Sequence, residues 1–159
     1  MDQEYIVADT LICLQIWVDA SYAVHPDMRS HTGGTISFER SGILCNSTKQ
    51  KLNTKSSTEA EFVGTSDFPP STIWVKNFVE AQGCKITEDV FEQVNESTMK
   101  LKKNGRKSAG PRLRHINIRY SWMKDWIKAE GILVCHCCTL YKVADFFTKP
   151  LQGNLFCKF

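Results

Sequence analysis

The chain has 159 residues, 42% of them hydrophobic and 11% aromatic, which is the size of one domain with enough apolar material for a core, so widespread disorder is excluded. Charged residues make up 23%, the formal net charge is +3, and no apolar run approaches the roughly 20 residues of a bilayer-spanning helix. The acidic start Met1-Asp2-Gln3-Glu4-Tyr5 lacks the basic end and apolar stretch of a secretory signal, so the expectation is an intracellular protein, cytoplasmic or nuclear, with no membrane partner.

The seven cysteines are odd in number, and Cys13, Cys45, Cys84 and Cys157 follow no repeating spacing, so reduced thiols are expected. Cys135-His136-Cys137-Cys138 contains zinc-ligand residue types, but neighbours on a strand point to opposite faces and do not converge on one tetrahedral ion.

In chain order, Cys13 to Asp19 is an apolar, β-branched and aromatic run that reads as a buried strand with a carboxylate at its end. Thr32 to Arg40 reads as a second strand, and Ser41-Gly42 turns it into a third, Ile43 to Thr48, in an antiparallel meander. Ser56-Ser57-Thr58-Glu59-Ala60-Glu61 starts a helix, with a hydroxyl cap and first-turn acids that complement the helix dipole. Pro69-Pro70 interrupts it. Ser71-Thr72 then caps a second stretch, Ile73 to Gln82, closed by Gly83. Ile86 to Val94 reads as a fourth strand, Ser97 to Lys103 as a short helix, Ile116 to Ala129 as a long helix ended by Gly131, Ile132 to Cys137 as a fifth strand, and Lys142 to Phe147 as a final helix. The order describes an α/β mixed sheet with helices on its faces, residues 13–155 forming the domain between tails 1–12 and 156–159.

The charge is unevenly placed. From Lys100 to Arg119 there are eight basic residues (Lys100, Lys102, Lys103, Arg106, Lys107, Arg112, Arg114 and Arg119) and no acidic one, which leaves the rest of the chain net acidic. The centre of this segment is rich in Gly, Ser and Pro, so it reads either as a loop that follows a nucleic-acid backbone or as a solvated basic loop without a ligand.

Five motifs in order carry a family resemblance: Trp17-Val18-Asp19-Ala20-Ser21-Tyr22, Arg29-Ser30-His31-Thr32-Gly33-Gly34, Lys49 through Glu61, Arg114-His115-Ile116, and Ala144-Asp145-Phe146-Phe147-Thr148-Lys149-Pro150-Leu151. Together they resemble the ribonuclease H domain of copia-type retrotransposon polyproteins, over residues 15–155. The resemblance implies a ribonuclease H-like α/β fold: a five-stranded mixed sheet, three antiparallel strands followed by alternating helices and strands. It implies a hydrolase that cuts the RNA strand of RNA·DNA hybrids, using two Mg²⁺ (or Mn²⁺) ions about 4 Å apart, held by carboxylates because hard ions take oxygen ligands. The partner in the parent polyprotein is a reverse transcriptase domain, and the chain is expected to be a detached piece of such an element.

By family position the metal and catalytic carboxylates are Asp19, Glu61 and Asp145, with Glu59 better explained as a dipole partner of its helix. The third position departs from the pattern. Val94 stands where the family places an aspartate, in Val94-Asn95-Glu96-Ser97, and a valine offers a metal no oxygen. Metal charge stabilisation is worth several kcal/mol, so a loss of rate on the order of a thousandfold or more is expected, unless Glu92 or Glu96 substitutes. His136 is either a proton shuttle or product-release residue, as in related enzymes, or a structural histidine at a strand end. His115 contacts phosphate or caps the long helix, and Asn53, Ser56 and Ser57 either donate to the hybrid's backbone or serve as turn and cap residues. The functions in contention are an active ribonuclease H, a non-catalytic nucleic-acid-binding module with this degenerate active site, and an inactive remnant of a transposable element.

Overall fold

The computed structural model describes residues 12–38, 41–93, 114–137 and 141–158. A central strand, β1 (Ile12–Ser21), is hydrogen-bonded on both sides, antiparallel to β2 (His31–Phe38) and parallel to β4 (Ile86–Gln93). β3 (Ser41–Lys49) continues the antiparallel meander beyond β2, and β5 (Leu133–His136) lies parallel to β4, giving the order β3-β2-β1-β4-β5. This is the five-stranded mixed sheet the sequence predicts.

The period-2 pattern of β1 separates its faces. Leu14, Ile16 and Val18 are buried on the side of the helices, and Cys13, Gln15 and Trp17 point the other way and are half-buried. Against the first face pack α1 (Ser57–Asp67), α2 (Pro69–Ala81) and α3 (Arg114–Ala129), and Ile36, Phe68, Val75, Val79, Phe91, Met123, Trp126 and Ile132 complete one core. Phe91 meets the Trp126 ring edge-on at 6.3 Å, the geometry that aromatic quadrupoles prefer.

Ser56 caps α1 as expected: its backbone is extended and its Oγ accepts from the Glu59 amide at 3.2 Å, while the Glu59 carboxylate accepts from the Lys55 amide. The next junction differs from expectation. Pro69-Pro70 do not separate the helices with Ser71-Thr72 as the new cap. They form the first turn of α2, and the Ser71 and Thr72 amides already donate to the Phe68 carbonyl at 3.0 and 3.3 Å. Proline suits that position because its missing N–H has no partner in a first turn and its φ is already helical. The break falls at Phe68, whose ring packs against Gly34 of β2.

Gly83 (φ +84°) and Gly131 (φ +65°) adopt the left-handed conformation that ends α2 and α3. α3 begins at Arg114, two residues before the expected start. The expected final helix is a single 3₁₀ segment, η1 (Val143–Phe147), and a short α4 (Asn154–Lys158) follows that the sequence reading did not anticipate. The short helix expected over Ser97 to Lys103 lies outside the described residues. No helix among the described residues is long and apolar enough to cross a membrane.

Candidate active site

Consecutive residues of β2 face opposite layers, and this places the site. Val18 pairs with Gly34 on the helix side, under the Phe68 ring, while Asp19 pairs with Gly33 on the other side, where η1 and the turn after it lie. An ideal Cβ on Gly33 would come within 2.6 Å of both Phe147 Cβ and Thr148 Cγ2, so the absence of a side chain lets this segment lie flat on the sheet next to Asp19. Two serines hold it there: Ser21 Oγ donates to the Thr148 carbonyl at 3.1 Å and Ser47 Oγ to the Phe147 carbonyl at 2.8 Å.

Asp19 is 2% exposed, and both of its carboxylate oxygens are engaged. Lys142 Nζ donates to Oδ1, Thr148 Oγ1 donates to Oδ2, and Lys149 Nζ lies 3.4 Å from Oδ2. The same two ammonium groups reach Asp145: its Oδ1 is 3.0 Å from Lys149 Nζ and 3.7 Å from Lys142 Nζ. Two carboxylates and two lysines therefore form one cluster without net charge.

Burial raises the Asp19 carboxyl, but the Lys142 charge and hydrogen bond, the Thr148 hydrogen bond and the Lys149 charge outweigh it and hold the group below its ordinary value. Asp145 is pushed up, first by burial and then by the charge of Asp19, against the opposing pull of Lys149 and Lys142. Lys149 is raised: its burial is outweighed by the two carboxylates. Lys142 is 4% exposed although lysine is among the least buried residue types, and the groups it faces there are the Asp19 and Asp145 carboxylates.

Of the residues singled out in the sequence, Asp19 and Asp145 are thus brought together. Glu61 stands half-buried on α1, one residue beyond Ala60, whose carbonyl accepts from Gln50 Nε2 at 2.8 Å. Among the described residues no three Asp, Glu, His or Cys side chains are grouped to hold one ion, so Glu61 and the two aspartates do not form a ready ligand set. His136 is exposed at the end of β5. Arg119 joins α3 to α1, pairing with Asp67 and donating to Ser66 Oγ at 2.8 Å. Arg114 and His115 open α3, their side chains undescribed, while Val94, Glu96, Lys100, Lys102, Lys103, Arg106, Lys107 and Arg112 lie outside the described residues.

The sequence reading missed Lys142, Thr148 and Lys149 as partners of Asp19. Thr148 and Lys149 lay within a motif already singled out, and Lys142 is one helical turn before Asp145, a spacing that brings opposite charges together. It also missed a cleft of about 500 Å³ at the β2–β3 edge, where Lys49, Lys51 and Arg119 line the walls with Asn46, Thr48 and Gln50.

The oxygen donors suit a hard divalent ion in kind, but not in arrangement. Both Asp19 oxygens already face cationic or hydroxyl donors, and the positive charge the pair requires comes from the chain itself.

Comparison with known proteins agrees with this fold. The chain is 32% identical over 144 residues to the retrovirus-related Pol polyprotein from transposon TNT 1-94 of Nicotiana tabacum, an alignment spanning 90% of this chain and 11% of that polyprotein. It is 28% identical to the corresponding polyprotein of transposon RE1 from Arabidopsis thaliana, spanning 93% of this chain and 10% of the relative. The chain's sequence relatives are copia-type retrotransposon Pol polyproteins. It spans about a tenth of the length of the relatives it matches. No family model matches it.

Among solved structures, LC11-RNase H1 in complex with an RNA/DNA hybrid superposes with a TM-score of 0.61 at 12% identity, over 84% of this chain and 92% of that one. RNase H1 from Halobacterium salinarum gives 0.60 at 9% identity, over 85% and 93%. The protease-reverse transcriptase of prototype foamy virus gives 0.57 at 11% identity, over 89% of this chain and 21% of that one. The fold is that of ribonuclease H.

Proposed function

We propose that this chain is a retrotransposon-derived ribonuclease H domain that binds RNA·DNA hybrids and whose hydrolysis of the RNA strand is impaired. The observation that supports it best is the pairing of Asp19 with Asp145 where the central strand of a ribonuclease H fold ends. In the family, divalent ions (Mg²⁺ or Mn²⁺) activate the attacking water and stabilise the leaving oxygen. Val94 brings no oxygen to that chemistry, and Lys142 and Thr148 already engage the oxygens of Asp19. What remains to the chain is recognition. Phosphate neutralisation by lysine and arginine is independent of metal ligation and survives the loss of a carboxylate. The reverse transcriptase of the parent polyprotein is the natural neighbour of such a domain.

The test is Mg²⁺-dependent cleavage of a labelled hybrid by the unmodified chain beside Val94→Asp. The expected outcome is hybrid binding with cleavage slower, on the order of a thousandfold, than in an intact family member, little gain in Val94→Asp alone while Lys142 occupies Asp19, and a gain of rate when Val94→Asp is combined with Lys142→Met. Full activity of the unmodified chain overturns the impairment. Absence of hybrid-specific affinity at low salt overturns the binding function and leaves an inactive remnant.

A further inference from the structure

Two carboxylates in a poorly solvated pocket repel each other, and a fold that brings them together needs positive charge between them. A ribonuclease H site meets that need with ions taken from solution. Here the need is met from within: Lys142 Nζ donates to Asp19 Oδ1 and lies 3.7 Å from Asp145 Oδ1, while Lys149 bridges the same two aspartates at 3.4 and 3.0 Å.

The two lysines are not equivalent. The Lys149 side chain is 46% exposed and can swing into solvent at little cost, whereas that of Lys142 is 5% exposed, with the side chain of Asp19 at 2%. At 5% exposure the Lys142 side chain is nearly cut off from water, and moving its ammonium away from Asp19 leaves a buried charge on each side. A divalent ion approaching Asp19 meets this ammonium at contact range, without the water that would screen it.

We propose that Lys142 is a tethered counter-cation for Asp19 and Asp145, which makes folding independent of divalent metal and closes this carboxylate pair to Mg²⁺. The proposal rests on the reading of Asp19 and Asp145 as the family's metal-facing carboxylates, but it is tested through stability rather than cleavage. It predicts a chain that melts at the same temperature in EDTA and in millimolar Mg²⁺.

Lys142→Met keeps the length and apolar stem of the side chain and removes its charge. This variant is expected to melt lower than the unmodified chain in EDTA and to gain stability with Mg²⁺, by roughly 5–10 °C at a hundredfold excess of the ion over its dissociation constant. Adding Asp145→Asn to Lys142→Met is expected to abolish most of that gain.

A Mg²⁺-dependent rise in the melting temperature of the unmodified chain overturns the proposal, as does a Lys142→Met variant whose melting ignores Mg²⁺. If Lys142→Met does not fold in EDTA, it is refolded from denaturant with and without Mg²⁺. Recovery with the ion alone supports the proposal, and failure in both assigns Lys142 a purely structural role. Absence of hybrid cleavage by the chain carrying both Val94→Asp and Lys142→Met bears on the functional reading and leaves these melting curves to be judged separately.

Discussion

Gly33 and Phe147 touch where any larger residue on β2 would collide: a Cβ built on Gly33 lies 2.6 Å from Phe147 Cβ and 2.8 Å from the Phe147 carbonyl carbon. Because Gly33 is paired with Asp19, this contact sets how closely the segment carrying Asp145, Thr148 and Lys149 approaches the strand carrying Asp19.

Gly33→Ala must therefore lift that segment from the sheet. The expected cost is about 1–3 kcal/mol, the range for overpacking a rigid contact, read as a lower denaturant midpoint with unchanged slope. Gly42→Ala is the control. Its Cβ meets Thr35 Oγ1 at 3.5 Å and Cys45 Sγ at 3.6 Å, ordinary van der Waals distances, and its effect is expected to stay within about 0.5 kcal/mol.

The buried pair makes Asp19→Asn more damaging than Asp145→Asn. Asp19→Asn takes the contacting carboxylate from the buried Lys142 ammonium and leaves it only Asp145, 3.7 Å away, a loss of about 3 kcal/mol. Asp145→Asn relieves Asp145 of the burial and repulsion that raise its pKa and leaves both lysines to Asp19, so the cost is smaller. The pH dependence follows with opposite signs. The Asp19 carboxyl is lowered on folding, so its contribution is present above the ordinary carboxylate range and is lost as pH falls through its folded value. Asp145 is raised, so its charged form burdens the fold at neutral pH and the burden lifts as pH falls. Unfolding curves collected from neutral pH into the acid range are expected to show a weaker acid loss in Asp19→Asn than in the unmodified chain.

The sheet was legible because its signals are local: the apolar, β-branched run of β1 and the Ser56 cap with Glu59 three residues on; Ser41-Gly42, expected as the turn between β2 and β3, instead pair with Phe38 and Ser37 and open β3. The first turn of α2 was misread since Pro69-Pro70 has two meanings, a helix breaker or a helix start, and only the docking of Phe68 on Gly34 selects the second. The pairing of Asp19 with Asp145 was legible through family order. Its counter-charge was not, because nothing in the neighbourhood of Lys142 announces that it is buried against a residue 123 positions earlier. Gly33 and Gly34 were read as strand, but the reason each lacks a side chain lies in segments far away in sequence.

A histidine relay supports the same segment. Ser47 Oγ donates to the Phe147 carbonyl, so it accepts from His31 Nε2 at 2.8 Å, which leaves His31 Nδ1 to accept from His25 Nε2 at 3.0 Å. This arrangement requires a neutral His31. Burial, and then the neighbouring charge of His25, lower its pKa from the ordinary histidine value. A lowered histidine favours folding fully above its unfolded value and loses that contribution as pH falls through the folded one. Stability is expected to decline on acidification from neutral pH, and His31→Gln is expected to flatten that part of the curve, as measured by urea unfolding at successive pH values. An unchanged slope would remove His31 from the account.

The β2–β3 cleft gives the nucleic-acid reading a quantitative handle. Lys51 is exposed at its wall, whereas Lys49 is already paired with Asp27 at 3.0 Å. A free surface lysine that meets a phosphate releases about one counterion, so Lys51→Ala is expected to weaken hybrid binding and reduce the log–log salt slope by roughly 1. Lys49→Ala is expected to change it less, since part of that charge is already neutralised, and Asp27→Asn, which frees the ammonium, is expected to steepen it. Fluorescence anisotropy of a labelled hybrid over a range of salt concentrations reads all three. If none of the slopes moves, hybrid binding does not use this cleft, and the basic segment from Lys100 to Arg112 becomes the next region to substitute.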